Sequence, residues 1–171
     1  MEKIYSLSLK QVKAYVFSAV FVAGNLLLPF VIHNLPPMYA GVNNGLVWLP
    51  IYFFTLIAAY KFGVQVGLLT AVFSPLINCL LFGMPMPEML FGILAKSILL
   101  AVAAAFFAKK TGKVSLLAIL FSVLSYQITG TVIEWLAIDF LHAIADFKYG
   151  FWGMLLQLFG GYFVLKALAK V

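Results

Sequence analysis

At 171 residues, with 65% hydrophobic and only 9% charged side chains, the chain is too apolar for a soluble globular domain, where charge runs near 25%. Its length suits one domain-sized bundle and leaves nothing over for a soluble catalytic module. The net charge of +6 comes from eleven lysines with no arginine; they flank apolar runs and form no patch interleaved with aromatics, which points to anionic inner-leaflet lipid and away from nucleic acid. The single cysteine, Cys79, lies inside an apolar run and permits neither an internal disulfide nor a thiolate metal cluster.

Apolar stretches of about 20 residues read as membrane spans. In chain order they cover Val12–Ile32, Leu46–Tyr60, Gly63–Phe82, Pro87–Ala108, Val114–Leu136 and Gly150–Ala169. The first is too long for a signal-peptide core and has no small-x-small cleavage site after it, so it is expected to be retained. The second is short, which implies tilt or partial wrapping in protein. Continuous apolar runs without period-two alternation exclude porin-type strands. The expected fold class is therefore all-α: one polytopic membrane domain over residues 1–171 with six transmembrane helices.

The lysines orient it. Lys3, Lys10 and Lys13 precede the first span, Lys61 lies between the second and third, Lys109, Lys110 and Lys113 between the fourth and fifth, and Lys166 and Lys170 close the chain. All nine fall on one side, so the positive-inside rule gives N-in, C-in. Lys96 and Lys148 do not fit this pattern. The inner connections are tight and basic. The outer ones are longer: residues 33–45, residues 83–88, and a third around Ala137 to Tyr149 holding Asp139, His142, Asp146 and Lys148. Their Pro and Gly content favours ordered turns, and no internal repeat supports an inverted-repeat transporter.

Polar groups inside spans are costly and usually functional. At about 1.5 Å per residue, Lys96 lies roughly 14 Å below the outer end of its span. On a core about 30 Å thick, Asn25 and Gln127 come out roughly 10 Å below the outer surface, Asn78 about 8 Å and Gln157 roughly 10 Å. Five amide or ammonium groups on five spans thus share one slab, while the inner half carries only hydroxyls. Gln127, Thr131 and Glu134 follow i, i+4, i+7 and share a helix face. A lone Asn or Gln often only joins helices; five at one depth beneath long loops suggest a pocket. Trp48, Trp135 and Trp152 lie near the outer boundary, as an interfacial aromatic belt would. With Met38, Met84, Met86, Met89 and Met154 they could instead form an adaptable apolar clamp for an organic ligand.

No phosphate-binding loop, zinc-protease, nucleophile-elbow or paired-cysteine motif is present, so neither ATP hydrolysis nor another enzyme activity is expected, and no cofactor or metal. Asp139, His142 and Asp146 could form a small acid-base or metal cluster if helical, but such residues are more often a solvated loop with a helix cap.

Ala19-Val20-Phe21-Val22-Ala23, Trp48-Leu49-Pro50-Ile51-Tyr52, Gly63-Val64-Gln65-Val66-Gly67, Ser74-Pro75-Leu76-Ile77-Asn78 and Gly83-Met84-Pro85 occur in that order. With six spans, this length and an outer polar layer, the whole chain resembles the substrate-binding S component of energy-coupling factor (ECF) transporters. The resemblance implies that Ala19 and Ala23 dock on a transmembrane T component driven by two ATPase subunits. It implies a substrate bound on the outer side, between the outer loops and the outer halves of spans four to six, and release inside by toppling of the whole S component. Nickel and cobalt S components carry a histidine directly after the initiator methionine; here that residue is Glu2, which argues against metal uptake.

The function expected is a binding subunit of an ECF-type ABC importer in the inner (cytoplasmic) membrane, capturing a vitamin or related micronutrient. The expected substrate-binding residues are Lys96, Gln127, Glu134, Asn78, Trp135, Trp152, Gln157, Asn44 and Tyr126. A mid-membrane ammonium must be paired, so Lys96 meets either Glu134 or an anionic ligand group; in the second case the substrate is a carboxylic acid. The alternative is a non-transporting scaffold of the cell-shape machinery, which has a similar six-span build but needs no outer pocket.

Overall fold

The computed structural model describes residues 4–137 and 139–170, with His142 by its backbone alone. Every regular element among the described residues is a helix, and none is a strand. Helix α1 covers Val12–His33; α2, Asn44–Trp48, leads through a 3-10 turn at Pro50–Tyr52 into α3, Phe53–Phe62. Then come α4 (Val64–Phe82), α5 (Pro87–Thr111), α6 (Leu116–Ala137) and α7 (Phe140–Tyr149). Helix α8 (Phe151–Leu155), a π-helical stretch (Leu156–Gly160) and α9 (Gly161–Leu168) make the last crossing. Five crossings are long and apolar enough to span a bilayer, and Pro50–Phe62 is the shorter sixth. The expected all-α membrane bundle is therefore the fold.

The short crossing is the pillar of the bundle. Leu56, Ile57, Ala58, Ala59 and Tyr60 of α3 are wholly buried, so this helix faces protein on every side and need not match the bilayer. It starts below the outer surface, where Leu49 turns the chain with φ +46°. Irregular backbone at membrane depth survives only inside protein and with its polar groups satisfied. Asn25 of α1 supplies the partners: its Oδ1 accepts from the Phe54 N–H at 3.1 Å, and its Nδ2 donates to Thr55 Oγ1 at 3.0 Å and Ser74 Oγ at 3.1 Å. Pro29 cannot return the helical hydrogen bond to the Asn25 carbonyl; Asn78 Nδ2 donates to that carbonyl at 2.9 Å. Close helix approach completes the pillar. A Cβ on Gly67 of α4 would lie 2.4 Å from the Ala59 Cβ and 3.3 Å from the Ala101 Cβ.

The basic segments converge at one end. The N–H groups of Tyr5 and Leu7 donate to the Lys61 and Phe62 carbonyls, filling acceptors left open where α3 stops. Lys61 Nζ donates to the Leu168 carbonyl at 2.8 Å, and the Tyr60 hydroxyl donates to the Lys113 carbonyl at 2.8 Å. The N-terminal segment, the α3–α4 and α5–α6 turns and the end of α9 thus share a face, in the grouping that the lysine pattern requires. The third outer connection departs from expectation: read as a loop, it is mostly the helix α7. Its apolar residues Phe140, Leu141 and Ile144 are exposed while Ala143 is wholly buried, the pattern of a helix resting on the bundle's outer end.

Candidate functional site

Two glycines build the site. Helices α5 and α6 pack on each other more extensively than any other pair, and each omits a side chain where the other inserts a charged one. A Cβ on Gly130 of α6 would lie 2.4 Å from Cγ of Lys96, and a Cβ on Gly92 of α5 would lie 2.2 Å from Oε1 of Glu134. The stem of Lys96 therefore lies across Gly130, and the carboxylate of Glu134 across Gly92. Lys96 is wholly buried. Its Nζ is 2.5 Å from Glu134 Oε2 and 2.5 Å from Asp146 Oδ2. Asp146 comes from α7, on the buried face that also carries Ala143 and Gly150. The choice left open by the sequence for Lys96 falls on Glu134, with a second carboxylate added.

Further along the same face of α6 lie Tyr126 and Gln127, both wholly buried. Opposite, on the π-helical stretch, lies Gln157, also wholly buried. Neither amide atom of Gln127 or Gln157 hydrogen-bonds within the chain, nor do the hydroxyls of Tyr126, Thr131 and Ser97. The Tyr126 hydroxyl and the Gln157 amide face each other without reaching hydrogen-bond geometry. The Tyr126 ring packs on Tyr52, centroids 5.2 Å apart. Buried polar groups are satisfied in the great majority of cases, so this concentration of unmet donors and acceptors is the feature that asks for a ligand. The π-helical turn fits that reading, since such turns recur at functional sites.

The outer end is closed over this region. Gly150 and Gly153 let the Leu49 corner approach; a Cβ on Gly153 would lie 2.5 Å from the Trp48 backbone, and one on Gly150 2.8 Å from Leu49 Cδ1. Trp152 Nε1 donates to the Tyr39 hydroxyl at 3.1 Å, and the Tyr39 and Tyr149 rings are 6.4 Å apart. The first and third outer connections are thereby fastened to each other.

The slab of five polar groups resolves into two clusters. Lys96, Gln127 and Gln157 join Glu134 and Tyr126 around α5, α6 and the last crossing. Asn25 and Asn78 instead fasten α1, α3 and α4; the Asn78 amide donates to the carbonyls of Asn25 and Ser74. Asn44 organises the first outer connection, donating to the carbonyls of Ile32, Leu35 and Pro36 and accepting from the Met38 N–H. Trp135 is 54% exposed and meets Phe140 edge-on, while Trp152 holds Tyr39. Met38, Met84, Met86 and Met89 are exposed, and Met154 packs on the core. Lys148 is exposed on α7, over the Tyr149 ring. Asp146 goes to Lys96, the His142 side chain lies outside the described part, and no group of metal-ligating side chains occurs among the described residues.

Gly92 and Gly130 carry no signal in the sequence, Tyr52 stands out there only within the Trp48–Tyr52 stretch, and Asp146 reads as a partner of Asp139 and His142 where the structure pairs it with Lys96. Helical spacing of Ala143, Asp146 and Gly150 was the available signal for an inward-facing acid. An open groove of about 320 Å³ between α5 and α6, lined by Leu99, Val102, Phe106, Phe107, Ser125 and Thr129, contains none of these buried groups.

No family model matches the sequence, and no curated protein matches it. A solved structure described as "Crystal structure of an S-component of ECF transporter" superposes with a TM-score of 0.63 at 20% sequence identity, covering 96% of this chain and 87% of that one. At that identity the likeness speaks for the architecture, and the fold of this chain is that of an ECF transporter S component.

Proposed function

We propose that this chain is the substrate-binding membrane subunit of an ECF-type ABC importer, taking a vitamin or related micronutrient from the outer side. The observation that carries the proposal is the set of unpaired, wholly buried amides and hydroxyls on α6 and the π-helical stretch, capped by interlocked outer connections. A membrane scaffold gains nothing from such groups, whereas a binding protein uses them to fix a ligand's orientation. Gln127, Gln157 and Tyr126 would contact the ligand, with Lys96, Glu134 and Asp146 forming the outer wall and latch. Asn44 and Trp152 would serve by ordering the cap, and Asn78 by holding α4 against α1.

Ala19 and Ala23 lie on the exposed face of α1, one turn apart. Small residues on a lipid-facing helix allow close helix contact, which suits docking of a transmembrane T component that works with two ATPase subunits. With the lysine-rich end inside, the site lies beneath the outer cap, toward the outer face of the cytoplasmic membrane. The chain itself carries no catalytic role in this reading. Affinity purification in mild detergent tests it: ATPase subunits and a T component should accompany the chain. Recovery of cell-wall synthesis proteins in their place would overturn the transport reading.

A further inference from the structure

The substrate-binding reading leaves the ligand's chemical class open, and the site narrows it. Resting on that reading, we infer that the ligand is a flat, uncharged heterocycle whose edge presents neighbouring N–H and C=O groups, as a lactam, ureide or ring carboxamide does. It is not an acid held through its carboxylate.

Lys96 is wholly buried and already contacts two carboxylates, those of Glu134 and Asp146, each at 2.5 Å. A ligand carboxylate arriving there would be the third anion on one ammonium. In a desolvated site, charges left without full compensation are strongly unfavourable. A neutral ligand leaves the ion pairs intact.

A primary carboxamide presents one acceptor and two donors side by side, and a glutamine can meet a cis-amide or aminopyrimidine edge with two parallel hydrogen bonds, as it meets adenine. Two such carboxamides, Gln127 and Gln157, are buried with all four polar atoms unmet. The hydroxyls of Tyr126, Thr131 and Ser97 add single donor-acceptor points nearby. Among these groups none carries a formal positive charge; the set complements polar, neutral edges. The tilted Tyr52–Tyr126 pair supplies a rigid aromatic wall against which a planar ring can pack.

Matched pairs test the idea with the purified full chain in lipid nanodiscs, by isothermal titration calorimetry: nicotinamide with nicotinate, uracil with orotate, and pterin with pterin-6-carboxylate. Native mass spectrometry of the same preparation identifies any small molecule retained from the membrane. The neutral member of any binding pair should bind at least about ten-fold more tightly, because a site built to hydrogen-bond rejects ligands that leave its groups unmet. Gln157→Leu and Gln127→Leu should weaken that binding by about ten-fold or more while the ligand-free protein keeps or raises its melting temperature, which separates lost contacts from lost folding. Tighter binding of the acid members, a retained carboxylic acid, or unchanged affinity in both leucine variants would overturn the ligand class and leave the transport reading standing. Absence of any retained molecule together with no binding across the panel would overturn both.

Discussion

Lys96→Met isolates the ion cluster. Methionine keeps an unbranched stem over Gly130, so packing against α6 changes little, while the ammonium shared by Glu134 and Asp146 is lost. Both carboxylates lie 2.5 Å from one nitrogen, so their near oxygens are at most about 5 Å apart. At that separation and an effective dielectric of about 20, the exposed repulsion is about 3 kcal/mol. This agrees with the about 3–5 kcal/mol typical of breaking a buried ion pair by removing one partner. The side chains of Glu134 and Asp146 are only 12% and 14% exposed, so water screens little of this. Adding Glu134→Gln and Asp146→Asn to Lys96→Met removes the repulsion and should restore stability to within about 1 kcal/mol of the parent, since a buried ion cluster contributes little beyond its neutral replacement. Unfolding by sodium dodecyl sulfate titrated into dodecyl maltoside micelles, followed by tryptophan fluorescence, reads both variants. A loss below about 1 kcal/mol for Lys96→Met, or a triple variant no more stable than the single one, would refute the cluster as described.

Gly67→Ala should cost about 1–3 kcal/mol in the same titration, because its Cβ would lie 2.8 Å from the Ala59 Cα, so α3 and α4 must part; an unchanged midpoint would contradict that helix contact. Asn25→Leu leaves the Phe54 N–H and the hydroxyls of Thr55 and Ser74 each short of a partner. Hydrogen exchange should lose protection first at residues 52–56, and uniform protection across α3 would count against the role given to Asn25. Gln157→Leu should raise ligand-free stability by about 1–2 kcal/mol by removing two unmet polar atoms; a destabilised variant would mean that the amide is satisfied inside the chain. Ala19→Leu with Ala23→Leu should leave stability within about 0.5 kcal/mol, since both positions are exposed. Recovery of the T component should fall sharply, and undiminished recovery would move the docking face elsewhere.

The long crossings were legible because apolar length is a one-dimensional quantity. Val12–Ile32, Gly63–Phe82 and Pro87–Ala108 agree with α1, α4 and α5 to within three residues at each end. The third outer connection was not. Its polar residues Asp139, His142, Asp146 and Lys148 read as loop chemistry, because a short helix lying on other helices needs only a narrow apolar face. Depth along the spans places Lys96, Gln127 and Gln157 at one level, and the structure buries all three. Depth equally selects Asn25 and Asn78, because depth along a helix carries no information on which neighbour a side chain faces. Glycine is similarly mute: Gly92 and Gly130 resemble other span glycines until α5 and α6 are seen to insert Glu134 and Lys96 across them.

Hydropathy and the placement of lysine alone determined that the chain is a six-crossing helical bundle with its termini at one end, because the bilayer imposes span length and leaflet charge imposes orientation. The tertiary structure decided what the interior polar groups do. It joined Lys96 to Glu134 and to Asp146, fifty residues away in sequence, assigned Asn25 to the break before α3 and Asn78 to the contact of α4 with α1, and left the amides of Gln127 and Gln157 without partners. Those outcomes depend on which helix faces meet, a property of packing between distant segments that no local pattern in the chain records.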